Sequence, residues 1–243
     1  AMTLGDGGTG ITLTANTILN AGSGALNING AVTGGNSSLT LNTTGNATIN
    51  GIISGITTLT TNANGLTVIN ANVSSSGNQQ YNDSVMFNGT RVLTSTGGTV
   101  LFDGTLSGDG GNNDNLTITG NLDLDGVATA TSLAVTGDSN LAANVTTVNG
   151  QTYTGAVVTN GSRTLQGTTV NFASTIAGTN GATDDLTITG ILDLDGALTN
   201  INDLEVSSTS NLAANVTTSG TQTYTSAVVT NGSRTLQGTT VNF

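Results

Sequence analysis

Three features of the sequence predict an all-β chain wound as a parallel β-solenoid. They are short runs of two-residue alternation, a long internal repeat of about 71 residues, and a composition with 35 Gly, no Pro and 3% aromatic residues. Alternation puts apolar side chains on one face of a strand and Thr, Asn or Asp on the other, because successive side chains of an extended chain point to opposite sides. No segment carries the 3.6-residue period and the caps of a helix; the best candidate, "SNLAANV", is too short.

Residues 1–78 form a leading segment with its own pattern, in "ITLTA", "ALNING", "LTLNTTGNATING" and "LTTNANGLTVINANV". A first repeat unit follows over 79–150, a second over 151–221, and 222–243 begins a third. The stretch "AVVTNGSRTLQGTTVNF" occurs at Ala156–Phe172 and again, unchanged, at Ala227–Phe243. Tyr153 and Tyr224, Arg163 and Arg234, and Phe172 and Phe243 are all separated by this same interval. A diverged first copy supplies Gln79, Tyr81, Val85, Arg91 and Phe102. "LTITG" recurs at Leu116 and Leu186, and "LDLDG" at Leu122 and Leu192. The opening Ala1-Met2 reads as a cloning remnant, so a targeting segment is expected outside these residues.

Composition excludes several function classes. The only basic residues are three Arg, against 14 acidic residues, for a net charge of −11. A duplex nucleic-acid ligand needs Lys and Arg against its phosphates, and an anionic membrane surface needs the same. No run reaches the roughly 18 apolar residues of a membrane-spanning helix, so this segment is not expected to insert directly. Disorder goes with low hydrophobicity and high charge, whereas here 35% of residues are hydrophobic and 7% charged.

Short, closely spaced strands fit a sandwich, a barrel or a solenoid. A sandwich of this length would show longer apolar strands and more rings. The small aliphatic side chains call for a thin core, as in a solenoid whose coils stack at about 4.8 Å. Gly and Asn suit its tight corners, Asn and Thr can stack as ladders between coils, and a missing Pro leaves every ladder hydrogen bond available. At about 20–24 residues per coil, roughly 10–12 coils are expected in an elongated rod. The repeat unit accommodates three coils of about 24 residues or four of about 18, and the sequence leaves both open.

The segments "ILNAGSGALNINGAVTGGNSSLTLNTTGNATINGIISG" and "GQTYTGAVVTNGSRTLQGTTVNFASTIAG" resemble the repeats of filamentous haemagglutinin-type and autotransporter adhesins. The resemblance implies a right-handed parallel β-helix within a much larger secreted bacterial protein. It also implies an extracellular or cell-surface location, and a structural or adhesive stalk that contacts other cell surfaces or surface glycans.

Candidate sites come from the repeated letters. Arg91, Arg163 and Arg234, in "NGTR" and "NGSR" turns, could form a row for acidic sugars or phosphate; the competing reading is a turn with a solvent-facing Arg. Tyr81, Tyr153 and Tyr224 could stack on sugars, or pack at a coil corner with the hydroxyl reaching water. Phe102, Phe172 and Phe243 read as core. In "LDLDG", the pairs Asp123 with Asp125 and Asp193 with Asp195 could hold calcium if loop carbonyls complete the shell, or could simply form a solvated face. Thr117 with Thr119, and Thr187 with Thr189, make short arrays like those of ice-binding solenoids. For an enzyme, the absence of His, Cys and Lys leaves only carboxylates, at Asp184–Asp185 and Asp109/Asp114. A non-catalytic role is therefore expected. Unpaired strand edges on terminal coils would favour end-to-end self-association.

Overall fold

A computed structural model describes residues 1–6, 8–62 and 64–243. The protein is a right-handed parallel β-solenoid of about 12 turns. Strands of two to twelve residues pair only in parallel, with strands one coil before or one coil after and, for interior strands, with both, in the pairings described. Coils differ in length: a short one runs from Leu186 to its ladder partner Leu204, and a long one from Leu93 to Ile118. The chain divides into two compact units, Ala1–Ala130 and Thr131–Phe243.

Within each unit three ladders run from coil to coil. In the first unit one ladder carries Leu26, Ala47, Thr67, Val85, Leu106 and Ala128. The second carries Val32, Ile53, Val73, Leu93 and Ile118. The third carries Leu39, Leu59, Gln79, Val100 and Leu122. In the second unit the ladders run through Val145, Leu165 and Ile188; through Gln151, Val170, Leu192 and Ser210; and through Ser139, Val157, Ile176, Leu198 and Val216.

Like side chains therefore stack on like, and nearly all of these positions are buried, most of them aliphatic. Each buried Leu or Val removes enough apolar area from water to contribute about 1.5–3 kcal/mol. Four long strands, Arg91–Phe102, Asn115–Leu124, Arg163–Phe172 and Leu186–Leu194, bend to serve two ladders each. The Gly of "LTITG" stands at the bend. Gly190 has φ +138°, and a Cβ there would come within 1.8 Å of the Gly167 carbonyl oxygen on the coil before. Gly120 repeats this arrangement against Ser95.

The ladders resolve the repeat period. Between Gln151 and Gln222 the chain lays down eleven further strand segments, the two long strands counting twice. Three segments make a coil, so one repeat unit spans three and two-thirds turns, neither three nor four. Accordingly Gln151 stands in the ladder of Val170 and Leu192, while Gln222 stands in the ladder of Leu186 and Leu204. Each repeat is rotated by one ladder, so the same letters come to face a different side.

Some inward positions are polar. Ser139 and Ser210, one repeat apart, bury their hydroxyls without a hydrogen-bond partner. A buried unpaired hydroxyl costs about 1–3 kcal/mol, so Ser210→Ala is expected to raise the midpoint of chemical unfolding. By contrast, Leu165→Ala is expected to cost about 2–5 kcal/mol through lost burial and an unfilled cavity. Gly190→Ala is expected to destabilise by a clash with backbone that no rotamer change relieves. Urea titrations followed by circular dichroism read all three.

Candidate functional site

The repeated motif builds two local devices, and both begin with residues two apart on a strand. Gln79 and Tyr81, Gln151 and Tyr153, and Gln222 and Tyr224 point inward together and are at most 1% exposed. In every copy the tyrosine hydroxyl donates to the glutamine Oε1 at 3.0 Å. The glutamine Nε2 then donates to backbone carbonyls, of Thr94 at 2.7 Å, Gln166 at 2.7 Å and Gln237 at 2.8 Å. One coil further on, a phenylalanine ring lies flat on each tyrosine. Centroid separations are 5.1 Å for Tyr81 and Phe102, 5.5 Å for Tyr153 and Phe172, and 5.8 Å for Tyr224 and Phe243. The hydroxyl thus reaches glutamine and not water, and no tyrosine face is open to a sugar. Burial pushes each phenol pKa well above its ordinary value; for Tyr81 the nearby Asp83 adds to this.

The second device is the Asn-Gly-Thr/Ser-Arg turn. Gly89, Gly161 and Gly232 take φ values of +70°, +83° and +81°, the left-handed region that glycine enters without strain. Arg91 and Arg163 fold back, their Nε donating to the carbonyls of Asn88 at 2.7 Å and Asn160 at 3.0 Å. Arg234 donates to the Ser233 carbonyl at 3.0 Å. The preceding coil supports each turn through an "ANV" asparagine. Oδ1 of Asn72, Asn144 and Asn215 accepts from the amides of Val92, Thr164 and Thr235, each at 3.0 Å.

The following coil sends in a buried carboxylate. Asp114 Oδ1 accepts from the Gly89 amide at 2.9 Å. Asp184 accepts from the Asn180 amide at 2.7 Å and the Thr179 hydroxyl at 2.9 Å, and the Gly161 amide also bonds to it. Within the second unit, Arg163 and Arg234 stand at corners leading into different ladders, because of the one-ladder rotation. They form no row.

The "LDLDG" carboxylates lie on the outer surface. Asp193 Oδ2 accepts from Asn171 Nδ2 at 3.0 Å. Asp193 and Asp195 border an open concavity with Asn211, Thr230 and Asn231. In the first unit, the Asp125 pKa is raised by partial burial and then by Asp123 and Asp103. Among the described residues no three His, Cys, Asp or Glu side chains are gathered so as to hold a metal ion. A second open concavity is edged by Asp185, Asp203, Glu205, Thr221 and Thr223, so its polar side chains are acidic or hydroxyl groups.

The candidate catalytic carboxylates are engaged by turns. Asp109 Oδ1 accepts from the Gly111 amide at 2.9 Å, and Asp185 Oδ1 from Asn202 Nδ2 at 2.9 Å. The pattern reading missed the inward glutamines, the "ANV" asparagines and the buried Asp83. For the first two a signal was present, since Gln-x-Tyr and "ANV" each recur at the repeat period. Asp83 has no counterpart in the later copies, where Gly155 and Ser226 stand at its place.

Asp83 and Asp184 respond to pH with opposite sign. Burial raises the Asp83 pKa, opposed by the Thr61 and Thr67 hydroxyls that donate to it at 2.8 Å and 2.9 Å. Its contribution to stability is fully present below the unfolded carboxylate pKa of about 3.9 and is lost as pH rises through the folded value. Burial also pushes Asp184 upward, but its amide and hydroxyl donors outweigh burial and hold it below the ordinary value. Its contribution is present above about pH 3.9 and is lost as pH falls through the folded value. Asp83→Asn is therefore expected to raise the thermal midpoint at pH 7 and Asp184→Asn to lower it, with both differences shrinking toward pH 3. Tyr153→Phe, which strands the Gln151 Oε1 in the core, is expected to cost about 1–3 kcal/mol in denaturant titration.

Compared with family models, with curated proteins and with solved structures, the chain finds no match.

Proposed function

We propose that the protein is a structural segment of an extracellular bacterial surface protein, a β-solenoid that supplies length and a protease-resistant scaffold for attachment or cell–cell contact. One observation carries this reading. The residues that stack coils recur in all three copies: Gln-x-Tyr, the phenylalanine above it, and the asparagine of the preceding coil that ties each turn. A surface selected to bind a repeated ligand would keep its outward residues on one face, which needs a whole number of turns per repeat. Three and two-thirds turns carry them from face to face and leave the interior equivalent.

The resemblance to adhesin repeats supports the secreted, cell-surface setting, and the net charge of −11 with no Lys suits a solvated, non-sticking exterior. The carboxylates are held by backbone amides and neighbouring side chains, which supports a non-catalytic role.

Thermal unfolding with and without millimolar calcium tests the reading against a metal-binding module. A ligand at a hundredfold its dissociation constant adds about 2.7 kcal/mol, so the expected result is an unchanged midpoint, and a clear rise would favour the calcium-binding alternative. A glycan array is expected to show no single tight, selective sugar. Asp184→Ala is expected to lower stability without removing any turnover on polysaccharides. Turnover that disappears in that variant while the fold survives would overturn the structural assignment.

A further inference from the structure

Eight Asn–Gly pairs occur along the chain, and such a pair carries a chemistry of its own. The glycine amide nitrogen loses its proton and attacks the asparagine Cγ. A C–N bond forms there, and the side-chain nitrogen takes up a proton and leaves as ammonia. Water then opens the resulting succinimide to aspartate or isoaspartate. Glycine has no Cβ to hinder the approach. The attacking nitrogen must also give up any hydrogen bond it makes, so an amide that donates to a fixed acceptor reacts slowly.

The fold holds five of these glycine amides. Gly30 donates to the Leu4 carbonyl at 3.3 Å and Gly51 to the Ile28 carbonyl at 3.1 Å, while Gly181 donates to Asn200 Oδ1 at 3.1 Å. Gly89 donates to the Asp114 carboxylate at 2.9 Å, and Gly161 donates to that of Asp184. A carboxylate in that position also opposes the negative charge that the nitrogen takes on as it loses its proton. Asn64–Gly65 borders residue 63, which lies outside the described residues. Asn231–Gly232 repeats the Asn160–Gly161 turn on the last coil of the sequence, and in both earlier copies the protecting carboxylate comes from the following coil.

Asn149–Gly150, well inside the second unit, is different. The Gly150 amide donates to no acceptor among the described residues of its unit, and the exposed Asn149 side chain makes no hydrogen bond there. The repeat accounts for the gap. In the next copy Thr221 stands at the place of Gly150, and its amide donates to Asp203 Oδ1 at 2.5 Å. One coil before Gly150, Ser132 stands at the place of Asp203. The backbone of Asn149 itself is fixed. Its amide donates to the Thr131 carbonyl at 2.8 Å, and its carbonyl oxygen accepts from the Thr168 amide at 2.7 Å and the Thr147 hydroxyl at 3.1 Å. We propose that Asn149 is a site of spontaneous deamidation and that isoaspartate is its main product. The two donors polarise the main-chain carbonyl of residue 149, which draws the opening water to that carbon. Its bond to the Gly150 nitrogen breaks, and the chain then continues through Cβ and Cγ. The product places a carboxylate and one extra backbone carbon at an exposed corner between two coils.

Peptide mapping by mass spectrometry, on the folded chain incubated at mildly alkaline pH, reads the conversion at each asparagine. Releasing an amide from a charged acceptor slows a step about tenfold or more. Asn149 is therefore expected to convert at least about tenfold faster than Asn88 or Asn160. In urea, where no amide is held, the three are expected to convert at similar rates. Gly150→Ala adds a Cβ that would meet only the Thr169 carbonyl oxygen, at 3.4 Å. That variant is expected to keep the thermal midpoint and to bring Asn149 down to the rate of Asn160 or below. An isoaspartyl methyltransferase with a labelled methyl donor is expected to mark the peptide that contains residue 149. Equal rates at the three asparagines of the folded chain would overturn the proposal. So would a preference for Asn149 that persists in urea, which would trace to the flanking letters and not to the fold. Aspartate as the sole product would overturn the part played by the Thr147 and Thr168 donors.

Discussion

Within each unit of this protein an interior coil is held by the one before it and the one after it, through parallel backbone ladders and through side chains stacked on their counterparts. A single coil of about twenty residues encloses too narrow a core to offset the entropy of ordering its backbone, roughly 1–2 kcal/mol per residue. Stacking supplies the missing stabilisation: each inward Leu, Ile or Val is covered above and below, and backbone amides find carbonyls on the neighbouring coil. The absence of Pro and the placement of Gly at bends such as Gly190 follow from this requirement, because one missing donor or one added Cβ would interrupt a ladder.

The same requirement explains why the core is not wholly apolar. A tyrosine inside a thin solenoid brings a hydroxyl with it, and the glutamine two residues earlier accepts that proton and passes its own amide hydrogens to backbone carbonyls. The glutamine, the tyrosine and the ring above form a plug repeated at the same chemical position in each unit. The Asn-Gly turns solve the corresponding problem outside. Their amides turn away from the ladder, and Asn144 from below and Asp184 from above take up those the turn leaves free.

A repeat of three and two-thirds turns separates two properties that are often assumed to go together, sequence repetition and surface repetition. Gln151 and Gln222 occupy equivalent interiors on different ladders, because the three sides of a coil are nearly interchangeable for stacking. The exterior obeys no such equivalence. Position 193 is an Asp opposite Asn171 and Asn211, while the equivalent strand of the next ladder presents Glu205 between Thr187 and Thr223. Repetition in this chain is a record of packing.

The sequence by itself determined the all-β class, the coil-forming runs, the burial of Phe102 and Phe172 but not that of Phe243, which is 79% exposed, and the existence of the long unit, because two-residue alternation and a fixed period are local properties of a string. It left open the number of coils per unit, the one-ladder rotation, the Tyr–Gln bond and the partners of Arg163, Asp184 and Asp83. Those depend on which residues some twenty positions apart come into register. Register is set by the summed lengths of corners and bends, which differ from the short coil between Leu186 and Leu204 to the long one between Leu93 and Ile118, and only the wound chain carries that sum.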